Sequence, residues 1–336
     1  MKNLRAGYSA IYGIGGHLPS NTVRTSDVLS EINCERYGIN SQFFEQTMGI
    51  YESRYSEPDQ VPSDLAKLAA EPIIEESGVN PDHIDLIIFC GIDRDFAEPS
   101  TAHKVQEKLG IKQSIVFDIS NACHGFMDGI MNADALIATG AARYALIVTG
   151  EQPSHVTRRL IERLKSDVSP DEFKLKVGGM ATGDSGAAML IGPKNGKGIK
   201  MTQSCSRGEF SDLCYYKKTE DGIEGQLVMG PLSANAIKMH RTIYPDSMEY
   251  LHWNPEDIDH LVTHQVGNRL FERFSKIFNV NQAKMSKTFD KLGNLISATI
   301  PINLWMLQKQ GLLTNRQVFV AGSGSGLSIS QWGIDF

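Results

Sequence analysis

Short unbroken apolar runs alternate along this chain with segments whose apolar positions recur at helical spacing. Residues 8–14 read as a strand, and Gly13-Ile14-Gly15-Gly16 predicts a turn after it, continued by the loop His17-Leu18-Pro19-Ser20. Thr25-Ser26-Asp27 caps a short helix over 28–32, and residues 43–50 are less regular. Ser63-Asp64 opens a helix over 65–77, with Leu65, Leu68, Ala69, Ile73 and Ile74 along one face and Gly78 at its end. Residues 84–90 read as a buried strand, and Pro99-Ser100 starts a helix through 109, closed by Gly110. The run 114–119 is the next strand and 126–138 the next helix. Gly140 turns the chain into a strand over 145–149. Residues 155–177 read as a polar connection carrying Arg158, Arg159, Arg163 and Lys165, before a strand over 187–191. Strands and helices in this order predict α/β layers.

The pattern repeats. Asn80-Pro81-Asp82-His83-Ile84-Asp85 precedes one buried strand and Asn254-Pro255-Glu256-Asp257-Ile258-Asp259 precedes another, at an offset of 254 − 80 = 174 residues. Gly140 between a helix and a strand has a counterpart in Gly311, between a helix over 300–310 and a strand over 318–321, at 311 − 140 = 171. Two matches at nearly one offset predict a duplicated unit, divided into 1–177 and 178–336. On this alignment Cys123 and the Gly293-Asn294 turn hold related places at strand-to-helix junctions.

Composition narrows the classes. The chain has 336 residues, 41% hydrophobic and 21% charged, with a formal net charge of −6. That suits a large globular core and argues against a nucleic-acid partner. The five cysteines, Cys34, Cys90, Cys123, Cys205 and Cys214, contain no C-x-x-C pair, so neither a disulfide framework nor a zinc site is expected. A reducing cytoplasm fits, and residues 1–8 lack a signal-peptide core. The Gly13–Gly16 stretch is no dinucleotide fingerprint, because Leu18 stands where the last glycine belongs. Gly183-Asp184-Ser185-Gly186 resembles the nucleophile motif of trypsin-like proteases, but the α/β pattern speaks against that chemistry, and a tight turn before a strand explains it.

Four stretches carry candidate chemistry. In Asp118-Ile119-Ser120-Asn121-Ala122-Cys123-His124-Gly125-Phe126, Cys123 sits where a buried strand meets a helix start. Exposed N–H groups and the helix dipole there favour a thiolate nucleophile; a small buried hydrophobe is the alternative. His264, in Thr263-His264-Gln265-Val266-Gly267, ends a short apolar strand and is either structural or catalytic. Asn294, in Gly293-Asn294-Leu295-Ile296-Ser297-Ala298, is a helix cap or a hydrogen-bond donor. Ala321-Gly322-Ser323-Gly324-Ser325-Gly326 is a flexible turn, or a place where backbone N–H groups approach a reacting carbonyl.

Taken in this order, from Gly15-Gly16-His17-Leu18-Pro19 to the C-terminal glycine loop, the stretches resemble the β-ketoacyl-acyl carrier protein synthase III family of thiolase-like condensing enzymes. The resemblance implies a five-layered αβαβα fold of two related halves, usually a homodimer. It places the nucleophile on Cys123, the catalytic histidine and asparagine on His264 and Asn294, and an oxyanion hole on the backbone N–H groups of Cys123 and Ser325. The implied reaction loads an acyl group from acyl-CoA or acyl carrier protein onto Cys123 and condenses it with a malonyl thioester by decarboxylative Claisen chemistry. No cofactor is implied beyond coenzyme A or phosphopantetheine thioesters as substrates, and no metal, nucleic acid or membrane. Arg269, Arg273 and Lys276 lie at i, i+4 and i+7 on one helix face; the resemblance puts Arg269 and Lys276, and Lys238 across a two-residue shift, at positions that dock an acidic carrier protein.

The sequence departs from the family pattern in several places. His-Gln-Val-Gly replaces His-Gln-Ala-Asn, Gly-Asn-Leu-Ile-Ser-Ala replaces Gly-Asn-Thr-Ser-Ala, and His124 follows the nucleophile where a small residue is usual. The two positions that sandwich an adenine fall on Phe43 and Thr47, and a gating phenylalanine falls on Glu98. These differences suggest specialised fatty acid or polyketide metabolism. An acyltransferase that passes the Cys123-bound acyl group to an alcohol or amine is the alternative reading.

Overall fold

Strand Ile84–Cys90 shows how the layers are built. Leu86, Ile88 and Cys90 face a cluster shared with Val262, Val318 and Val320, while Ile87 and Phe89 face Ala69, Ile73 and Val105 on the other side. A strand apolar on both faces must lie between two layers. The computed structural model describes residues 3–194, 196–219 and 222–336. One five-stranded sheet runs Ser9–His17, Ser185–Pro193, Tyr144–Glu151, Ile84–Cys90, Ile115–Ile119. A second runs Leu4–Ala6, Gly198–Phe210, Gly326–Asp335, Gln317–Gly324, His260–Thr263.

Helices Gly125–Ala138 and Thr299–Lys309 fill the space between the sheets, in one cluster with Ile14 and Leu86 of the first and Val262 and Trp332 of the second. Helices Pro62–Ser77 and Thr101–Lys108 cover the outer face of the first sheet. Asn268–Phe278 and Met229–Leu251 cover the second, with Leu251, Leu270, Phe271 and Phe274 packed on Leu261 and Phe319. This is the five-layered αβαβα arrangement of a thiolase-like fold.

The repeat is visible in hydrogen bonding. The core of each sheet has a parallel strand pair, Ile84–Cys90 with Tyr144–Glu151 and His260–Thr263 with Gln317–Gly324. Each continues into an antiparallel strand, Ser185–Pro193 or Gly326–Asp335. Met285 forms a parallel bridge to Leu261, where the first sheet has the strand Ile115–Ile119. Before each central helix stands a one-turn 3-10 segment, Ala122–His124 or Ile296–Ala298, entered through a non-glycine residue of positive φ: Ala122 at 49° and Ile296 at 54°. The mate of Cys123 is therefore Ser297, at 297 − 123 = 174, the offset of the repeated Asn-Pro motif. Asn294 lies three residues ahead of that junction rather than on it.

Three further expectations change. Strand Ser185–Pro193 pairs with Ser9–His17 and Tyr144–Glu151, so the chain leaves the first sheet between Pro193 and Gly198, beyond the division expected at 177/178. The connection before it is not simply polar: it forms helices Ser154–Lys165 and Pro170–Lys176, whose apolar residues Val156, Leu160, Ile161, Leu164 and Phe173 are buried. The glycines at 13–16 make no turn, because the strand runs on to His17. They admit close neighbours: a Cβ on Gly15 would lie 2.0 Å from the Ala69 carbonyl oxygen. Asp184, in the 183–186 stretch, is a structural acid. It is fully buried and accepts from the N–H and hydroxyl of both Ser56 and Ser154, tying that connection to the sheet.

Candidate active site

The strand Ile115–Ile119 ends at the 3-10 turn Ala122–His124, and helix Gly125–Ala138 follows at once. This turn presents Cys123 at one wall of a cavity of about 180 Å³. The same cavity is lined by His264, Asn294, Ser323, Gly324 and Ser325. The predicted nucleophile, histidine, asparagine and both backbone oxyanion positions are thus brought together from separate segments.

Each is held by local hydrogen bonds. The His264 N–H donates to the Ala321 carbonyl, extending the parallel ladder by one residue. Gln265, next in sequence, donates to the Ser286 carbonyl and to Asn303 Oδ1 and accepts from the Thr288 N–H, so it anchors the loop behind the site. The Asn294 N–H donates to the Ala181 carbonyl, and its own carbonyl accepts from the Gly183 N–H. Its side-chain oxygen accepts from the Ile296 N–H at 2.9 Å, which leaves the amide NH2 as its free donor. Gly293, at φ 68°, is required here, since a Cβ would meet Ser53 Oγ at 2.7 Å and the Ala181 carbonyl oxygen at 2.8 Å.

Electrostatics correct one expectation. Burial, then the neighbouring Cys214 and Glu151, push the Cys123 thiol well above its usual range, and the hydrogen bond at its own backbone N–H opposes this only in part. Burial thus favours the thiol, whose proton must leave during acyl loading. Burial and the nearby His124 lower His264 to about 4, so it is neutral at physiological pH. Neutral imidazole and carboxamide are suited to hydrogen-bond an anion that appears only during reaction.

Several neighbours had no signal in the sequence. Glu151 is fully buried below the cavity, held by the Ser297 hydroxyl, and burial with the nearby Asp93 carboxylate pushes it up to about 8. A hairpin of Cys214–Thr219 and Gly222–Leu227 contributes Cys214, Tyr216, Gln226 and Leu227 to the lining. Leu160, Leu232, Ala236, Val266 and Leu270 make most of the remaining wall apolar. These residues converge only through folding, and none carries a recognisable motif.

The other predicted residues lie elsewhere. Glu98 and Thr47 are exposed, Phe43 is half-buried, and none of them lines the cavity; Met48, the residue after Thr47, does. In a single chain Glu98 is therefore no part of the pocket wall, because the segment after Ile92 runs outward toward the start of helix Thr101–Lys108. Arg269, Arg273, Lys276 and Lys238 are exposed on the outer helices, and none forms an ion pair among the described residues.

The chain is similar to known proteins over most of its length. The family model for 3-oxoacyl-[acyl-carrier-protein] synthase III matches residues 117–208, and the model for the C-terminal part of that enzyme matches 248–333. An acyl-CoA:acyl-CoA alkyltransferase of Xanthomonas campestris is 30% identical over 307 residues, 88% of each chain. A beta-ketoacyl-[acyl-carrier-protein] synthase III of Oceanobacillus iheyensis is 28% identical over 329 residues, 96% of each chain. The crystal structure of a cysteine-to-serine variant of Xanthomonas campestris OleA, with bound lauric acid and lauroyl-CoA, superposes with a TM-score of 0.90 at 27% identity, over 99% of this chain and 100% of the other. With both family models matched and a relative 30% identical covered over most of its length, the chain belongs to the 3-oxoacyl-[acyl-carrier-protein] synthase III family of thiolase-like condensing enzymes.

Proposed function

We propose that this enzyme takes an apolar acyl group from a thioester onto Cys123 and joins it to the carbanion equivalent of a malonyl thioester. In the first half-reaction the Cys123 sulfur attacks the thioester carbonyl, the carbonyl oxygen is held by the N–H groups of Cys123 and Ser325, and the carrier thiol departs with the proton. In the second, the malonyl thioester loses CO2, and the enolate oxygen accepts hydrogen bonds from His264 and the Asn294 amide. The enolate carbon attacks the acyl-Cys123 carbonyl, a C–C bond forms, the C–S bond breaks, and Cys123 is reprotonated. The observation that carries this reading is the pairing of a neutral His264 with a free Asn294 amide in one largely apolar cavity. A transfer to an alcohol or amine has no enolate for that pair to hold.

One observation supports a second source of the carbanion. The Xanthomonas relative is named an acyl-CoA:acyl-CoA alkyltransferase, a reaction that joins two acyl chains. There the α-carbon of a second acyl thioester must lose a proton rather than CO2. Among the described residues no carboxylate lines the cavity, and His264 at about 4 is a weak base, so one chain alone favours the decarboxylative route. Docked copies in a homodimer would be the way to bring a carboxylate such as Glu98 to the site.

The experiment is intact-protein mass spectrometry with acyl-CoA and acyl-carrier donors, followed by labelled malonyl thioester. An acyl mass on the Cys123 peptide, absent from Cys123→Ala, with CO2 release matching product, is the expected result. Product from acyl-CoA alone would move the assignment to the two-acyl reaction. Equal acylation of Cys123→Ala would remove Cys123 from the mechanism.

A further inference from the structure

The residue directly after the nucleophile is a histidine, and its imidazole turns away from the cavity. His124 is 2% exposed and is not among the cavity-lining residues. Its Nδ1 lies 3.0 Å from Asp128 Oδ1, one helical turn on, at ion-pair distance but without hydrogen-bond alignment, and its Nε2 lies 2.8 Å from Ser330 Oγ on the strand Gly326–Asp335. The other Asp128 oxygen accepts from Asn121 Nδ2 at 2.6 Å. The same Asn121 amide reaches Ser328 Oγ at 3.3 Å, and Ser328 pairs with Ser206 Oγ at 2.8 Å. The residues two before and one after Cys123 therefore share one carboxylate, and both are tied to the C-terminal sheet.

The glycine strand lies directly on this clamp. A Cβ on Gly324 would meet the His124 nitrogen at 2.7 Å and the His124 Cβ at 2.8 Å, and one on Gly322 would meet His124 Cδ2 at 3.3 Å. Ser325, the other backbone donor, follows Gly324 immediately. The turn that carries the Cys123 N–H thus packs closely on the strand that carries the Ser325 N–H, with the His124 ring against Gly322. The turn also needs holding, because Ala122 sits at φ 49°, where a side chain is strained.

We propose that His124, clamped by Asp128 and Ser330, is a positioning residue that locks the Cys123 turn against the Gly322–Gly324 strand and so sets the geometry of the anion-binding pair. The proposal rests on the reading of Cys123 as the acyl acceptor. It has an electrostatic consequence that a packing role lacks. Asp128 faces His124 from its own helix. From the second sheet and its covering helix come His264 and His240, the latter held to Ser323 Oγ at 3.0 Å. His124 contributes to keeping both of these histidines neutral, after burial. Removing it should let His264 take a proton more readily, which moves the acid limb of the rate profile upward.

The test compares wild type, His124→Asn and Ser330→Ala in single-turnover loading of Cys123 and in malonyl condensation, between pH 4 and 8. His124→Asn is expected to slow loading about 10- to 100-fold, within the range for loss of an oxyanion donor, with KM for the acyl thioester little changed. Its acid limb for condensation should rise by about half a pH unit or more. Ser330→Ala keeps the imidazole, so it should slow loading several-fold and leave the limb in place. His124→Asn with wild-type rates and limb overturns the proposal, and so does a slower His124→Asn whose limb has not moved. If His124→Asn does not fold, Ser330→Ala decides: loading at the wild-type rate overturns it. Wild-type protein that takes no acyl group on Cys123 at all would instead overturn the underlying reading.

Discussion

Glu151 is a residue whose ionisation should be felt by the whole chain. A free glutamate titrates near 4.3, whereas burial and Asp93 push Glu151 up to about 8 in the fold. Between those values the folded state holds a proton that the unfolded state has released. Stability is therefore greatest below the lower value and falls as pH rises toward the upper one. Glu151→Gln keeps the shape and the acceptor for Ser297 but has no charge to bury. It should leave Tm almost unchanged at pH 5 and raise it by several degrees at pH 9, where wild type carries a buried carboxylate. Thermal denaturation at the two pH values measures this, and an equal difference at both would show that the carboxylate is not what limits stability. Nothing local in the sequence announces this residue. Thr149-Gly150-Glu151-Gln152 reads as a polar strand end, and only the arrival of Ile92, Asp93 and Ser297 from distant segments makes it buried.

Among the elements, one helix shows why glycine patterns mislead when read locally. Gly150, Gly186 and Gly15 stand on three adjacent strands of the first sheet. A Cβ on them would come within 1.9 Å of the Pro62 carbonyl oxygen, 1.9 Å of that of Leu65 and 2.0 Å of that of Ala69. Those carbonyls follow one face of helix Pro62–Ser77, so the glycines form a diagonal groove that lets the helix backbone rest on the sheet. In sequence, Gly13 to Gly16 predicts a turn, and Gly183 to Gly186 reads as a turn or a protease motif. The physical demand on the two that bear on the helix, Gly15 and Gly186, is contact with a helix far along the chain. Gly186→Ala should cost about 3 kcal/mol or more, because the helix backbone cannot yield as a side-chain tip can. Gly208→Ala, with nothing within 4 Å of its Cβ, should change stability by less than about 0.5 kcal/mol. Urea denaturation of the two variants gives the comparison, and similar midpoints would refute the close-packing account. By contrast the helix and strand starts around Cys123, Ile84 and Val318 are legible, because their apolar runs are continuous.

For the molecule as a whole, duplication explains both what the sequence reveals and how the site faces its partners. The two halves bring matching helix entries to the space between the sheets, one bearing Cys123 and the other its mate Ser297, so chemistry needs only a few motif residues and these survive as readable spacing. Docking has no such constraint and must be argued from charge and place. The chain has a net charge of −6, yet Arg269, Arg273, Lys276 and Lys238 stand exposed on two packed helices, Asn268–Phe278 and Met229–Leu251. The inner faces of those helices supply Leu270 and Ala236 to the cavity wall, so the basic surface lies directly over the catalytic chamber. An acidic carrier protein drawn to that surface would have its thioester arm close to Cys123, and the attraction should be screened by salt. Reversing Arg269→Glu and Lys276→Glu together should raise KM for an acyl-carrier donor about 10-fold or more at low ionic strength. Loading from neutral acyl-pantetheine should be unaffected, since it has no charge for the patch to recognise. Raising salt from about 50 to 500 mM should weaken the wild-type reaction with the carrier and do little to the double variant, because the Debye length shrinks to a few ångströms. Equal losses with both donors would mean that the substitutions disturb the chamber rather than the surface, and the docking assignment would have to be abandoned.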